Sequence, residues 1–403
     1  SLIENIENIM NITDHSNKVN INHNLVVKKY NWKKQCENIT NILRYNTCFI
    51  YNFKPNLEIW SGAVINSINE MICLSKFSNV FYNNVFLNDI IINNNLNIDL
   101  LNQQINRTFE SKYIKLKKIN NRLFPVILNN KFNFIFYRGG TDVTCNNEFI
   151  NLPNIKIYQH TYVKDIWENN IIGFQTETAN NYAKQDLLKT KFHDGTLNYH
   201  NIDNIPNKTF VRYQCIVNDV SYKKPLIIKH NEFFTIGIIG TFYTGTNPIL
   251  FLNKIEELIK QSYKIKVIIY SNSICPTIDI PEYSFISFDK FNASNKMEKL
   301  TRLDLVINTW LYEQQDYGGS NKNLDAICYN IPLIVKEFNS CKEQLGNEYK
   351  LWFNNLEEIN DLIKKCYEDI EFYNYIIKYM QKIKETLIVD VITNKWKLQL
   401  DKL

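Results

Sequence analysis

Glycine is scarce in this chain, with 11 in 403 residues against roughly 28 at an average usage of about 7%. Glycines that survive such a bias sit where backbone geometry demands them. Seven of them, Gly62, Gly139, Gly140, Gly240, Gly245, Gly318 and Gly319, fall in stretches that read as loops after strands or as helix starts. The nine cysteines are an odd number, scattered, with no Cys-x-x-Cys pair. That usage excludes a disulfide framework and a zinc ribbon and fits reduced, buried thiols. No apolar run approaches the ~20 residues of a membrane span and no segment reads as a secretory signal, so the expected location is cytoplasmic. Charge of one sign is also lacking: the net value of +5 argues neither for nor against a polyanionic partner.

What is present is apolar and aromatic. With 45% hydrophobic residues, 24 Tyr and 24 Phe, the chain can bury substantial cores, and its length predicts about two domains. Along it, short β-rich runs alternate with helical patterns. Cys48 to Tyr51 reads as a strand, followed by a loop and then Ser61-Gly62 opening a helix to about Leu74. Phe132 to Tyr137 reads as a strand, Ile155 to Gln159 as another ending at His160, and Ile171 onward as a third running into a helix capped by Thr176 or Thr178. Residues 187–232 read as a linker region containing a strand at Phe210 to Tyr213. The rhythm restarts at Thr235 to Ile239, followed by Gly240-Thr241, and continues with strands at 265–270, 285–288 and 303–308. Strands alternating with helices of this length give parallel sheets with right-handed crossovers. Lys112, Lys115, Lys117, Lys118 and Arg122 form a basic run that reads first as a solvated face and second as a contact for an anionic membrane or acceptor.

The organising stretch is Gly318 to Val335. It reads as a glycine turn, a short helix with Lys322 and Asp325 on one face, a stop at Asn330-Ile331-Pro332 and a buried strand. A helix N-terminus after paired glycines presents backbone N–H groups and a positive dipole end, a grip for phosphate. A carboxylate one turn in is placed for a ribose hydroxyl.

The pattern Ser-Asn-Lys-x-x-Asp-Ala-x-x-x-x-x-Pro-Leu-Ile-Val resembles the donor-site motif of family 4 glycosyltransferases, with Asp325-Ala326 where that family usually has Glu-Ala. The resemblance implies the GT-B fold: an α/β chain of two Rossmann-like domains whose parallel sheets face each other across a cleft, with a C-terminal helix crossing back onto the first domain. The implied divisions are 1–44 as an extension or the tail of a preceding module, 45–225 as the acceptor-side domain, 226–385 as the nucleotide-sugar domain and 386–403 as the returning helix. The implied activity is transfer of a hexose-type sugar from a nucleotide donor to a glycan, lipid-linked or protein acceptor, with retention and without any cofactor or nucleic-acid partner. Gly240, Thr241, Gly318, Gly319, Ser320 and Asn321 would hold the diphosphate, Asp325 the ribose, and the backbone near Ser271 and Phe288 the base. Lys322 would be the cation, His160 would contact the donor sugar, Asp316 would serve as the first acidic residue, and Ser61-Gly62 would face the acceptor.

The departures from the family are specific. Its Gly-Arg and following Lys are replaced by Gly240-Thr241 and Thr244-Gly245, and its first acidic position falls on Tyr317, next to Asp316. Arg138, Arg212 or Arg302 are the candidates to restore positive charge. No Asp-x-Asp occurs, which favours a metal-independent mechanism. Two other readings stay open: a degenerate module acting as a glycan-binding or scaffold domain, and another enzyme on this architecture such as an epimerase.

Overall fold

A computed structural model describes residues 46–52, 62–82, 114–119, 122–127, 133–139, 155–159, 171–174, 176–184, 208–217, 220–240, 242, 248–271, 280–289, 295–311 and 319–403. The first lobe is built from β1 (Asn46–Asn52), α1 (Gly62–Ser75), β2 (Asn79–Tyr82), β5 (Phe134–Gly139), β6 (Ile155–Gln159), β7 (Ile171–Phe174), α2 (Glu177–Lys184) and β8 (Lys208–Val211). Between β2 and β5 lie β3 (Ile114–Ile119) and β4 (Arg122–Ile127), which pair antiparallel as a separate ribbon. That ribbon carries Lys115, Lys117, Lys118 and Arg122 of the basic run, while Lys112 lies outside the described residues. The remaining six strands form one parallel sheet in the order β2-β1-β5-β6-β7-β8.

One expectation is corrected here. The strand placed in the linker at 210–213 runs over Lys208–Val211 and belongs to the first sheet, paired parallel with β7 through Ile172 and Thr209. The buried side chains of Phe210 and Val211 explain why: their apolar surface is covered only if this strand joins the sheet.

The second lobe holds β9 (Phe234–Ile239), α3 (Ile249–Lys260), β10 (Ile265–Tyr270), β11 (Ile286–Asp289), α4 (Lys296–Leu300), β12 (Leu305–Ile307), α5 (Asn321–Cys328), β13 (Leu333–Lys336), α6 (Asn339–Leu345) and β14 (Trp352–Phe353). Its strands are all parallel in the order β11-β10-β9-β12-β13-β14. This is the doubly wound order 3-2-1-4-5-6, in which ligands bind outside the carboxyl ends of the strands where the winding reverses, here between β9 and β12. Those two strands are central in the sheet, with Phe234, Ile236, Ile238, Leu305, Val306 and Ile307 fully buried, as strands covered on both faces must be.

Three helices close the chain: α7 (Glu358–Glu368), α8 (Ile370–Thr386) and α9 (Val389–Leu400). Asp369 caps α8 by accepting from the Phe372 amide at 2.8 Å. The buried face of α8, Tyr373, Ile376, Ile377 and Met380, packs on the second lobe, and Lys384 near its end donates to the Cys328 carbonyl at 2.6 Å. A cation there meets the negative end of α5.

α9 returns to the first lobe. Its Trp396 ring lies 5.7 Å from Phe136 and 5.3 Å from Phe210, and Gln399 exchanges two hydrogen bonds with the Val211 backbone at 2.8 and 3.0 Å. Truncating a buried Trp of this kind costs about 3–5 kcal/mol, so the chain's end fastens the two lobes together. Among the described residues no helix is long and apolar enough to cross a membrane.

Candidate functional site

The site is built at the reversal of the second sheet. β9 ends at Ile239 and the chain leaves through Gly240 at φ 137°, a backbone conformation that side chains rarely adopt. The Gly240 amide donates to the Tyr270 carbonyl at 2.9 Å, holding this turn against the end of β10. A Cβ on Gly240 would sit 2.6 Å from Cε and 2.9 Å from Nζ of Lys322. The glycine therefore leaves the room in which the lysine lies.

Lys322 is in the first turn of α5. Ser320 caps the helix by accepting from the Asn323 amide at 3.4 Å, a placement its extended backbone allows. At the other end Asn330 adopts the left-handed conformation at φ 55°. The Ile331 amide reaches the Ala326 carbonyl at 2.9 Å and the Asn330 amide the Ile327 carbonyl at 3.1 Å, a Schellman closure. Cap and stop together fix this helix at eight residues and hand the chain to β13.

The Lys322 ammonium is covered from solvent and has no hydrogen-bond partner among the described residues. The Phe242 ring lies 5.9 Å away. Burial pushes its pKa down to about 8, because a cation withdrawn from water without a counter-ion is disfavoured. The first turn of a helix also presents backbone N–H groups without intrahelical partners. Positive potential from two sources is thus concentrated at one point.

Asp325, one turn on, is paired with Lys296 of α4. Burial raises its pKa and Lys296 pulls it back. Ser271 and Phe288 stand at the ends of neighbouring strands, the Ser271 amide donating to the Asp289 carbonyl at 3.2 Å, and Phe288 is 54% exposed. Gly240, Gly319, Ser320, Asn321, Lys322, Asp325, Ser271 and Phe288 therefore all lie on the second lobe at the carboxyl side of its sheet. Gly62 is the first residue of α1 in the other lobe. Ser61, His160, Thr241, Asp316 and Gly318 lie outside the described residues.

Two of the arginines considered as replacement cations are engaged elsewhere. Arg212 is buried in an ion pair with Glu70 of α1, and Arg302 pairs with Glu298 on the surface. Of the charges the sequence offered, Lys322 is the one at the helix end.

Sequence reasoning missed the amide side chains that brace the turn. Asn308, one residue past β12, donates to Ser320 Oγ at 3.1 Å and to Asn323 Oδ1 at 2.8 Å. Asn323 donates to Gln344 Oε1 at 3.0 Å, and the Ser320 amide reaches the same oxygen at 3.3 Å. Gln344 Nε2 in turn donates at 2.8 Å to Gln214, which comes from the segment after β8. In so Asn-rich a chain no single amide stood out, and only the fold brings them together. Beside them a cavity of about 200 Å³ lies between the lobes, lined in part by Thr176, Glu177, Tyr213, Gln214 and Glu343.

No protein-family model matches the sequence, and no curated protein matches it. Solved structures do match the fold. Anabaena Alr3699/HepE in complex with UDP-glucose superposes with a TM-score of 0.59 at 10% identity, over 89% of this chain and 100% of that one. A glycosyltransferase from Rickettsia africae ESF-5 gives 0.55 at 11% identity, over 89% and 98%. The pneumococcal O-GlcNAc transferase GtfA, in complex with UDP and GlcNAc, gives 0.55 at 9% identity, over 89% and 99%. The fold is GT-B. At these identities the likeness establishes architecture, and the expected two parallel sheets with a C-terminal helix returning to the first lobe are what the chain has.

Proposed function

We propose that this chain is a glycosyltransferase that moves a sugar from a nucleotide-diphosphate donor, in the first instance a uridine diphosphate sugar, to an acceptor hydroxyl. The observation that carries this reading is the buried Lys322 ammonium over Gly240 at the N-terminal turn of α5, without a hydrogen-bond partner among the described residues. It lies at the reversal of a doubly wound sheet, where such folds bind nucleotides. The solved structures of HepE and GtfA, which hold UDP-glucose and UDP with GlcNAc, support a uridine nucleotide as the first donor to try.

In the reaction the bond between the anomeric carbon and the diphosphate breaks with its electron pair going to the leaving oxygen. A bond to the acceptor oxygen forms and the acceptor's proton is released. Negative charge gathers on the departing diphosphate, so a cation and N–H groups already aimed at it lower the barrier without reorganising. Lys322 and the first turn of α5 fill that role, and Asp325 would exchange its Lys296 partner for a ribose hydroxyl. Retention follows from the resemblance to family 4, and independence of a metal from the missing Asp-x-Asp. His160, Asp316 and Gly318 complete the proposed centre, with Ser61-Gly62 on the acceptor side.

A thermal-shift screen of nucleotide sugars tests this directly. A donor at 100 times its Kd stabilises the folded chain by about 2.7 kcal/mol, and the shift should appear for a uridine diphosphate sugar. Asp325→Ala should weaken that donor about tenfold, the worth of a charge-assisted hydrogen bond less its lost Lys296 pairing. No shift with any nucleoside diphosphate sugar would overturn the proposal.

A further inference from the structure

We propose that Gln214, a first-lobe residue that no motif points to, is a positioning residue for the diphosphate-binding turn and makes that turn's geometry depend on the relative placement of the two lobes. The inference rests on the reading of α5 given above. Gln214 reaches across from the first lobe into the turn itself: its Nε2 lies 3.3 Å from the Gly319 carbonyl and 3.2 Å from Asn321 Oδ1. The same nitrogen lies 3.3 Å from Asn66 Oδ1 on α1, and Oε1 accepts from Gln344 at 2.8 Å. One amide group thereby joins α1, the turn before α5, and α6.

The contact is close. A Cβ on Gly319 would lie 2.0 Å from Gln214 Oε1, well inside contact distance, so a side chain at 319 would force the Gln214 amide out of its present position. Behind Gln214 the chain of amides continues through Gln344 and Asn323 to Asn308 and the Ser320 cap. Buried networks of this kind are specific because each member left without its partner is costly. A shift of the first lobe that withdrew Gln214 would take one partner each from Gln344, the Gly319 carbonyl and Asn321, and the turn that carries Lys322 would relax with them. The arrangement ties the grip on the donor to the lobe that is proposed to hold the acceptor.

The experiment uses the full chain and UDP as the probe, with affinity measured by titration calorimetry at pH 7 and pH 9 and melting temperature measured on the free protein. Gln214→Ala should lower UDP affinity about tenfold. Gln214→Glu, which keeps the shape and the acceptor but cannot donate to Gly319, should lower it further while preserving the fold. In both variants the fall in affinity between pH 7 and pH 9 should shrink, because the ammonium is no longer held against the phosphate. Gly319→Ala should be damaging in the natural chain and nearly silent in the Gln214→Ala background, where the colliding oxygen is gone. A lowered melting temperature with unchanged UDP affinity and pH dependence would reduce Gln214 to a structural contact and overturn the inference. Additive losses at 214 and 319 would overturn it as well. If the natural chain binds no UDP, the functional reading itself fails and the inference falls with it. If it binds, and Lys322→Met alone abolishes binding while both Gln214 variants bind normally, only the inference fails.

Discussion

Two helices of eight residues, α2 in the first lobe and α5 in the second, meet the same physical problem in opposite ways. Each has a positive dipole end and N–H groups that its own turns cannot satisfy. At α2 the protein supplies the anion: Glu343 of the second lobe accepts from the Glu177 amide at 2.8 Å and from the Thr178 amide and hydroxyl. At α5 a cation stands where a carboxylate would be favourable, since Lys322 is in the first turn with its ammonium buried and unpartnered among the described residues. A second positive charge beside a helix N-terminus destabilises the free protein. Groups held in such unfavourable surroundings concentrate at functional sites, and here the missing complement is an anion. The first helix end is therefore closed by structure, and the second is the one proposed to take a ligand.

Removing the cation is the strongest way to break this contrast. Lys322→Met should weaken binding of a uridine diphosphate sugar by roughly ten- to a hundredfold, the worth of a charge-assisted contact. The same change should leave the free protein as stable or more so, because it deletes a buried charge that has no counter-ion among the described residues. Calorimetric titration and thermal melting of the same sample check both signs, and a variant that melts lower while binding normally would mean that Lys322 serves the fold. Gly240→Ala comes next. It forces a side chain into φ 137° and against the lysine stem, so a loss of about 1–3 kcal/mol in unfolding free energy is expected, together with weaker donor binding. If only stability changes, the glycine serves the turn alone.

The lysine's titration sharpens the comparison further. Its folded pKa of about 8 lies below the unfolded value, so between about pH 8 and 10.5 the unfolded chain holds the proton that the folded chain has lost. This group therefore adds stability as pH rises through that window. Binding moves the other way: a diphosphate favours the ammonium, so affinity should fall as pH rises above about 8, with uptake of up to one proton per ligand. Titrations in buffers of different ionisation enthalpy measure that uptake, and Lys322→Met should abolish it.

Much of this contrast was legible in the sequence, for reasons particular to each element. The 18 residues from Gly318 to Val335 combine a cap, a stop and an apolar strand, all local signals, and the structure sets α5 and β13 over Asn321–Cys328 and Leu333–Lys336. The inner parallel strands of the second lobe, β9, β12 and β13, were readable because burial on both faces makes them nearly continuous apolar runs. What could not be read is whatever depends on contacts distant in the chain. Phe210 and Val211 were assigned to a linker because a four-residue strand at a sheet edge carries too little pattern. Gln214, 105 residues from Gly319, and Glu343, 166 from Glu177, have no local signature. Arg212 as a replacement cation was an inference from charge alone, and its pairing with Glu70 is visible only in three dimensions.

The mildest test addresses the closed end. Glu343→Gln keeps the side chain's reach and removes its charge, so the amides of Glu177 and Thr178 retain an acceptor but lose the ionic component. Glu343 stands at the surface, although burial of its carboxylate against α2 raises its pKa; solvent and salt reach the pair and screen that component, and the loss should be about 1 kcal/mol, in the range of an ordinary cap substitution. It should also shrink as salt is raised, whereas donor affinity should stay within error of the natural chain, since the Glu343 carboxylate caps α2 and not α5. Chemical denaturation at low and high salt, run beside a donor titration, separates the two quantities. A variant that loses donor affinity as steeply as Lys322→Met would show that the two helix ends are not independent, and that the carboxylate closing one of them also shapes the other.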